Sequence, residues 1–96
     1  MSKVIDEAVA RLSAKVRPET LPGVVKFVLT DEGAIMLDAG GVRAGDDAAD
    51  VTLTASAQAF QAMLDGDLSP MSAFMSGKLK IEGEMALAMK LGAVLG

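Results

Sequence analysis

Residues 74–95 read Phe-Met-Ser-Gly-Lys-Leu-Lys-Ile-Glu-Gly-Glu-Met-Ala-Leu-Ala-Met-Lys-Leu-Gly-Ala-Val-Leu. Gly77 and Gly83 bracket a short run in which Leu79 and Ile81 alternate with Lys78, Lys80 and Glu82. Period-two alternation predicts a strand with one buried and one wet face, and the two glycines supply the backbone freedom for abrupt changes of element at either end. The segment that follows, residues 84–95, reads as a helix whose circumference is almost entirely apolar. Met85, Leu87, Met89, Leu91 and Val94 leave only Lys90 to mark a polar side. A helix apolar all round has to be covered all round, by core, partner or ligand, and this one is far too short to span a bilayer.

Working outward, Ser69-Pro70 is a cap followed by a first-turn proline, predicting a short helix that carries Met71, Phe74 and Met75. Before it, Ser56 caps a helix that reaches Asp65, with Gly66 just past its end and Phe60, Met63 and Leu64 inward. Val51–Thr54 alternates as a strand with Val51 and Leu53 inward. Val24–Thr30, with Val25, Phe27 and Leu29 on one face, and Ala34–Ala39, with Ile35 and Leu37 on one face, form a hairpin across Asp31-Glu32-Gly33. Val42–Ala44 makes a short third strand, and residues 45–50 a loop. A first helix capped at Ser2 runs to Val16 on a stripe of Val4, Ile5, Ala8, Val9, Leu12 and Val16, and Pro18 stops it. Five alternating strands call for one covered sheet face, so the helices share that face in two layers. The expected class is α+β, a single five-stranded, mostly antiparallel sheet with helices packed on one face, in one domain spanning residues 1–96.

The run Phe74–Glu84 followed by Ala86-Leu87-Ala88-Met89-Lys90-Leu91 resembles the closing signature of the sterol carrier protein-2 family of lipid-binding domains. Val24-Val25-Lys26-Phe27, Ala-Asp-Val-Thr-Leu-Thr at 49–54 and Leu-Asp-Gly-Asp-Leu-Ser-Pro at 64–70 lie in register with it, so the resemblance extends from Leu21 to Leu95. It implies a five-stranded sheet with helices over one face and an apolar cavity between them that holds a lipid. Two features differ from the family pattern. The 40–50 connection is short, and three aromatic residues, all Phe, are few for shape-selective recognition of a sterol.

Composition narrows the chemistry. The chain of 96 residues has 9 basic and 13 acidic side chains, a net charge of −4, which disfavours nucleic acid. It has no Cys and no His, so it lacks thiolate ligands, thiol nucleophiles and the commonest general base, leaving any serine nucleophile without a partner. Its Asp and Glu pairs fall in turns, where they bond locally, and Gly45-Asp46-Asp47-Ala48-Ala49-Asp50 lacks calcium-loop spacing. No catalytic residue, metal or cofactor is expected. Residues 2–16 are charged and amphipathic rather than a secretory leader, and the Ala-Val-Leu-Gly end is not a Ser-Lys-Leu tail. The expectation is a cytoplasmic, bacterial protein.

What remains is apolar capacity, rich in the adaptable side chain of Met, which occurs seven times. Phe27, Leu29, Ile35, Leu37 and Leu53 would floor one side, and Phe60, Met63, Leu64, Met71, Phe74, Met75, Met85, Met89 and Leu91 would cover it. Taken alone, such a list is more often a filled core than a pocket, whereas the resemblance implies a lipid cavity. The expected function is non-enzymatic lipid binding and intermembrane transfer, with the last helix as a movable cover. The expected partners are an apolar small molecule or lipid and, transiently, a membrane. The alternative is an interaction module whose last helix packs on a partner subunit, for instance in a homodimer, without internal ligand.

Overall fold

The structure is a computed structural model and describes residues 3–16 and 21–95, with side chains as far as Leu91. The expected cap at Ser2 and stop at Pro18 lie outside the described residues. The elements are α1 (Lys3–Lys15), β1 (Val25–Thr30), β2 (Gly33–Asp38), β3 (Gly41–Ala44), β4 (Val51–Ser56), α2 (Ala57–Asp65), α3 (Pro70–Met75), β5 (Leu79–Gly83) and α4 (Met85–Leu95). The five strands form one sheet in the order β3-β2-β1-β4-β5. Three neighbour pairs are antiparallel, and the central β1–β4 pair is parallel.

Alternation sets the covered face. Val25, Phe27 and Leu29 of β1, Ile35 and Leu37 of β2, Val51, Leu53 and Ala55 of β4 and Leu79 of β5 are all buried. They join buried residues of all four helices in one cluster: Ile5, Ala8 and Leu12 of α1, Phe60 and Met63 of α2, Ala73 of α3, Leu87 and Leu91 of α4. This is the two-layer arrangement expected for a half-buried sheet. Local signals place the helix ends. The Ser56 hydroxyl accepts from the Ala59 N–H at 3.0 Å, and Gly66 closes α2 in the left-handed conformation. The Ser69 hydroxyl accepts from the Ser72 N–H at 3.1 Å, with Pro70 opening α3. Arg11 of α1 pairs with Asp65 at the end of α2.

Two details depart from the alternation. The hairpin loop is Asp31-Glu32, with Asp31 itself at φ 67°, one residue shorter than expected. Met36 points away from the helices yet is buried, because the 45–50 connection crosses this face on its way from β3 to β4. Its sulfur accepts the Asp47 N–H at 3.4 Å, and Gly45 lies against its side chain. Lys26, on the face opposite Phe27 by alternation, pairs under the same connection with Asp46 at 2.9 Å.

Asp50 closes the connection. Its N–H donates to the Val24 carbonyl at 2.9 Å, its carboxylate accepts the Val24 N–H at 2.8 Å, and its carbonyl accepts the Glu84 N–H at 2.9 Å. Gly83 makes that last approach feasible. Its φ is +110°, and a Cβ there would stand 2.3 Å from the Asp50 carbonyl oxygen. Gly83→Ala should therefore cost at least about 2 kcal/mol in denaturant unfolding, since strained φ and backbone overlap add. Gly66→Ala, at φ +83° with open space around it, should cost only about 1 kcal/mol.

At the β2–β3 turn, Arg43 forks onto Asp38 at 2.8 and 3.2 Å, and Gly40 N–H donates to the same carboxylate at 2.8 Å. The Arg43 hydrogen bonds, then that of Gly40, hold the Asp38 carboxyl below the usual aspartate range. A depressed folded-state pKa adds stability that is present above the unfolded value of about 3.9 and is lost as pH falls through the folded value. In NMR titrations Asp38 should titrate below ordinary aspartates, and Arg43→Gln should move it back towards them.

Candidate functional site

The register of the three strands on the β5 side builds a row of side chains. Phe27 of β1 stands opposite Leu53 of β4, and Leu53 opposite Ile81 of β5. All three sit on the helix-covered face by alternation. Over this row α3 and α4 diverge enough to leave a pocket of about 500 Å³. Phe27, Leu53, Leu79 and Ile81 form its floor. Met63 of α2 closes one side, and Ser69, Pro70, Met71 and Phe74 line the α3 side. Met85, Ala88, Met89 and Leu91 of α4 complete it.

The pocket has a dry end and an open end. Phe27, Leu53, Met63, Leu79, Ala88 and Leu91 are buried, whereas Met71, Phe74, Met85 and Met89 are exposed. Among the described side chains of α4, the fold covers Leu87, Ala88 and Leu91, and leaves open a side for which the sequence calls for a partner or a ligand. Met85 and Met89, four residues apart, share its uncovered side. No charged side chain lines the pocket. Its one polar side chain, Ser69, already serves the α3 cap and bonds to the Ser72 hydroxyl at 2.9 Å. Such a space offers no acid, base or nucleophile. It can exclude water from an apolar ligand and orient little else. Among the described residues no group of acidic side chains is arranged to hold a metal ion. A second, open cleft lined by Ser56, Gln58, Asp67 and Lys78 among others is of mixed polarity.

The residues singled out in the sequence divide by position. Phe27, Leu53, Met63, Met71, Phe74, Met85, Met89 and Leu91 come together in the pocket. Leu29, Ile35, Leu37, Phe60 and Leu64 do not line it; they are buried in the packed cluster instead. The Phe60 ring meets that of Phe27 edge-on, with centroids 5.2 Å apart, where the packed region adjoins the pocket. Met75 is 80% exposed and lies outside it. Ser69, Pro70, Leu79, Ile81 and Ala88 were not singled out. The inward alternation of Leu79 and Ile81 was a usable signal. Ser69 and Pro70 carried only their capping signal.

The comparisons with known proteins fit this geometry. The family model for the SCP-2 sterol transfer family matches residues 4–96. Hydroxysteroid dehydrogenase-like protein 2 of Xenopus tropicalis is 43% identical over 86 residues, covering 81% of this chain and 21% of that protein. Peroxisomal multifunctional enzyme A of Dictyostelium discoideum is 39% identical over 90 residues, covering 90% of this chain and 20% of that protein. The chain thus spans about a fifth of the length of these curated relatives. The solution structure of sterol carrier protein-2 from Aedes aegypti in complex with palmitate superposes with a TM-score of 0.79 at 24% identity, over all of this chain and 97% of that one. The palmitated SCP2L2 protein of the same mosquito gives a TM-score of 0.68 at 27% identity, over 99% and 95% of the two chains. With the family pattern running from residue 4 to the last residue on this five-stranded mixed sheet, the chain belongs to the SCP-2 sterol transfer family.

Proposed function

We propose that this domain binds one long-chain lipid, a fatty acyl chain such as palmitate, in the pocket between the sheet and α3/α4, and carries it between membranes without chemical change. The observation that carries the reading is a pocket of about 500 Å³ whose thirteen lining residues include no charge and a single polar side chain already engaged. That volume is in the range of small-molecule sites. Two Aedes aegypti proteins of this fold, one in complex with palmitate and one palmitated, support the choice of ligand.

The energetics agree. Burying a sixteen-carbon chain gains about 12 kcal/mol at ~0.8 kcal/mol per methylene. Association costs at least about 4 kcal/mol, leaving an affinity near micromolar. No step needs an acid or base, and the chain supplies neither His nor Cys for one. The exposure of Met85 and Met89 on α4 supports a role for this helix as the movable cover.

A second reading draws on the same exposed side chains. Met71, Met75 and Met89 would pack on a second copy, with nothing inside. Native mass spectrometry of gently purified protein separates the two. Extra mass of lipid size on a folded monomer, lost on denaturation, supports the carrier; a dimer without extra mass favours the second reading.

Palmitate at a hundredfold excess over Kd should stabilise the fold by about 2.7 kcal/mol, a rise in Tm of roughly 10–20 °C for a domain of this size. An unchanged Tm with palmitate and with other apolar lipids would reject the pocket as a lipid site. The double variant Met85→Glu/Met89→Glu should remain folded, because both side chains are exposed, and lose palmitate binding by at least about a hundredfold, because a carboxylate at the mouth must be desolvated. Wild-type affinity in that variant would remove α4 from the role of cover.

A further inference from the structure

Methionine is the only sulfur-bearing residue in this chain, since it has no Cys. The described methionines fall into two sets. Met36 and Met63 are 1% and 2% exposed, while Met71, Met75, Met85 and Met89 are 61%, 80%, 46% and 63% exposed. With Phe74, those four are the only large apolar side chains among the described residues that stand strongly exposed; the large aliphatics are covered or half covered. Three of the four, Met71, Met85 and Met89, line the mouth of the pocket.

We propose that Met71, Met85 and Met89 form a peroxide-sensitive modification site that sets the affinity of the pocket for its cargo. The inference rests on the lipid-binding reading above. The reactant is a hydroperoxide. A lone pair of the thioether sulfur attacks one peroxide oxygen, the S–O bond forms as the O–O bond breaks, and the departing oxygen takes the proton to leave as water or alcohol. Sulfur loses two electrons and the peroxide gains them, so no further reactant is needed. The product sulfoxide is polar, a hydrogen-bond acceptor with nothing to bond to on an acyl chain. Three such groups would turn an apolar mouth into a polar one and release the cargo. Exposure directs the reaction: Met63 at the dry end of the pocket and Met36 under the 45–50 connection are shielded from a dissolved peroxide. Sulfoxide reductases reverse the step, which makes the device resettable.

The test uses the full chain, hydrogen peroxide as oxidant and palmitate as probe. After mild peroxide treatment, peptide mass mapping should find one added oxygen at Met71, Met85 and Met89 before Met36 and Met63. Palmitate affinity should fall at least about tenfold while circular dichroism shows the fold retained, in keeping with lost apolar contact, and methionine sulfoxide reductase should restore it. In the variant Met71→Leu/Met85→Leu/Met89→Leu, whatever its starting affinity for palmitate, peroxide should leave that affinity unchanged. Unchanged affinity after complete oxidation of the three overturns the inference, and so does an equal loss in the leucine variant. If the untreated protein binds neither palmitate nor any other lipid, the carrier reading fails, and this inference with it.

Discussion

Three chain segments meet at Asp50, and the pocket depends on that meeting. Its backbone and carboxylate hold Val24, at the entry to β1. Its carbonyl holds Glu84, at the entry to α4. Gly23 leaves room beside its carboxylate and beside Leu87 of α4. β1, β4 and α4 are thereby pinned to one another at their first residues. From that point the register runs on without freedom, because a one-residue slip would turn every inward side chain outward. The row of Phe27, Leu53 and Ile81 that floors the pocket lies two residues further along the parallel pair.

The domain is unevenly filled. Over β1–β3, α1 and part of α2 pack down to side chains of almost no exposure, such as Leu12, Ile35 and Leu37. Over β4 and β5 lie part of α2, the six-residue α3 and α4, with the pocket between these helices and the sheet. Atoms lining a void lack partners on one side and forfeit dispersion energy. That loss falls on the half over β4 and β5, while the half over β1–β3 keeps its contacts on all sides. The edge-on contact of Phe60 with Phe27 marks the boundary between them.

Much of this was legible in the sequence. Alternation in Val25-Phe27-Leu29 and in Val51-Leu53, the caps at Ser56 and Ser69, and the glycines at 66, 77 and 83 placed β1, β4, α2, α3, β5 and the start of α4 to within a few residues. The division between core and pocket was not legible for a definite reason. Period two tells which side of a sheet a residue faces, but not which helix lies above it. Leu37 and Leu53 read alike and share one buried cluster, yet the strand order puts only Leu53 at the pocket under α3 and α4. Met36 was opaque for a related reason, since its cover comes from a connection that crosses the outer face. The last helix reads as apolar on every side, and its periodicity does not tell which side the fold itself covers: Leu87, Ala88 and Leu91 are buried, while Met85 and Met89 stand exposed.

The parallel pairing of β1 with β4 bears on how the chain reaches this state. Every other strand pair joins neighbours or closes across a helical excursion, but the two central strands meet only after β2 and β3 have been laid down on the far side of β1. Loop-closure entropy opposes such a contact until the intervening residues are ordered, and non-local pairings of this kind slow folding. During that interval the β1–β2–β3 meander would present an unpaired edge along β1, the edge later filled by β4. Strand exchange in a nascent or heat-stressed chain would then begin at the centre of the sheet rather than at its rim.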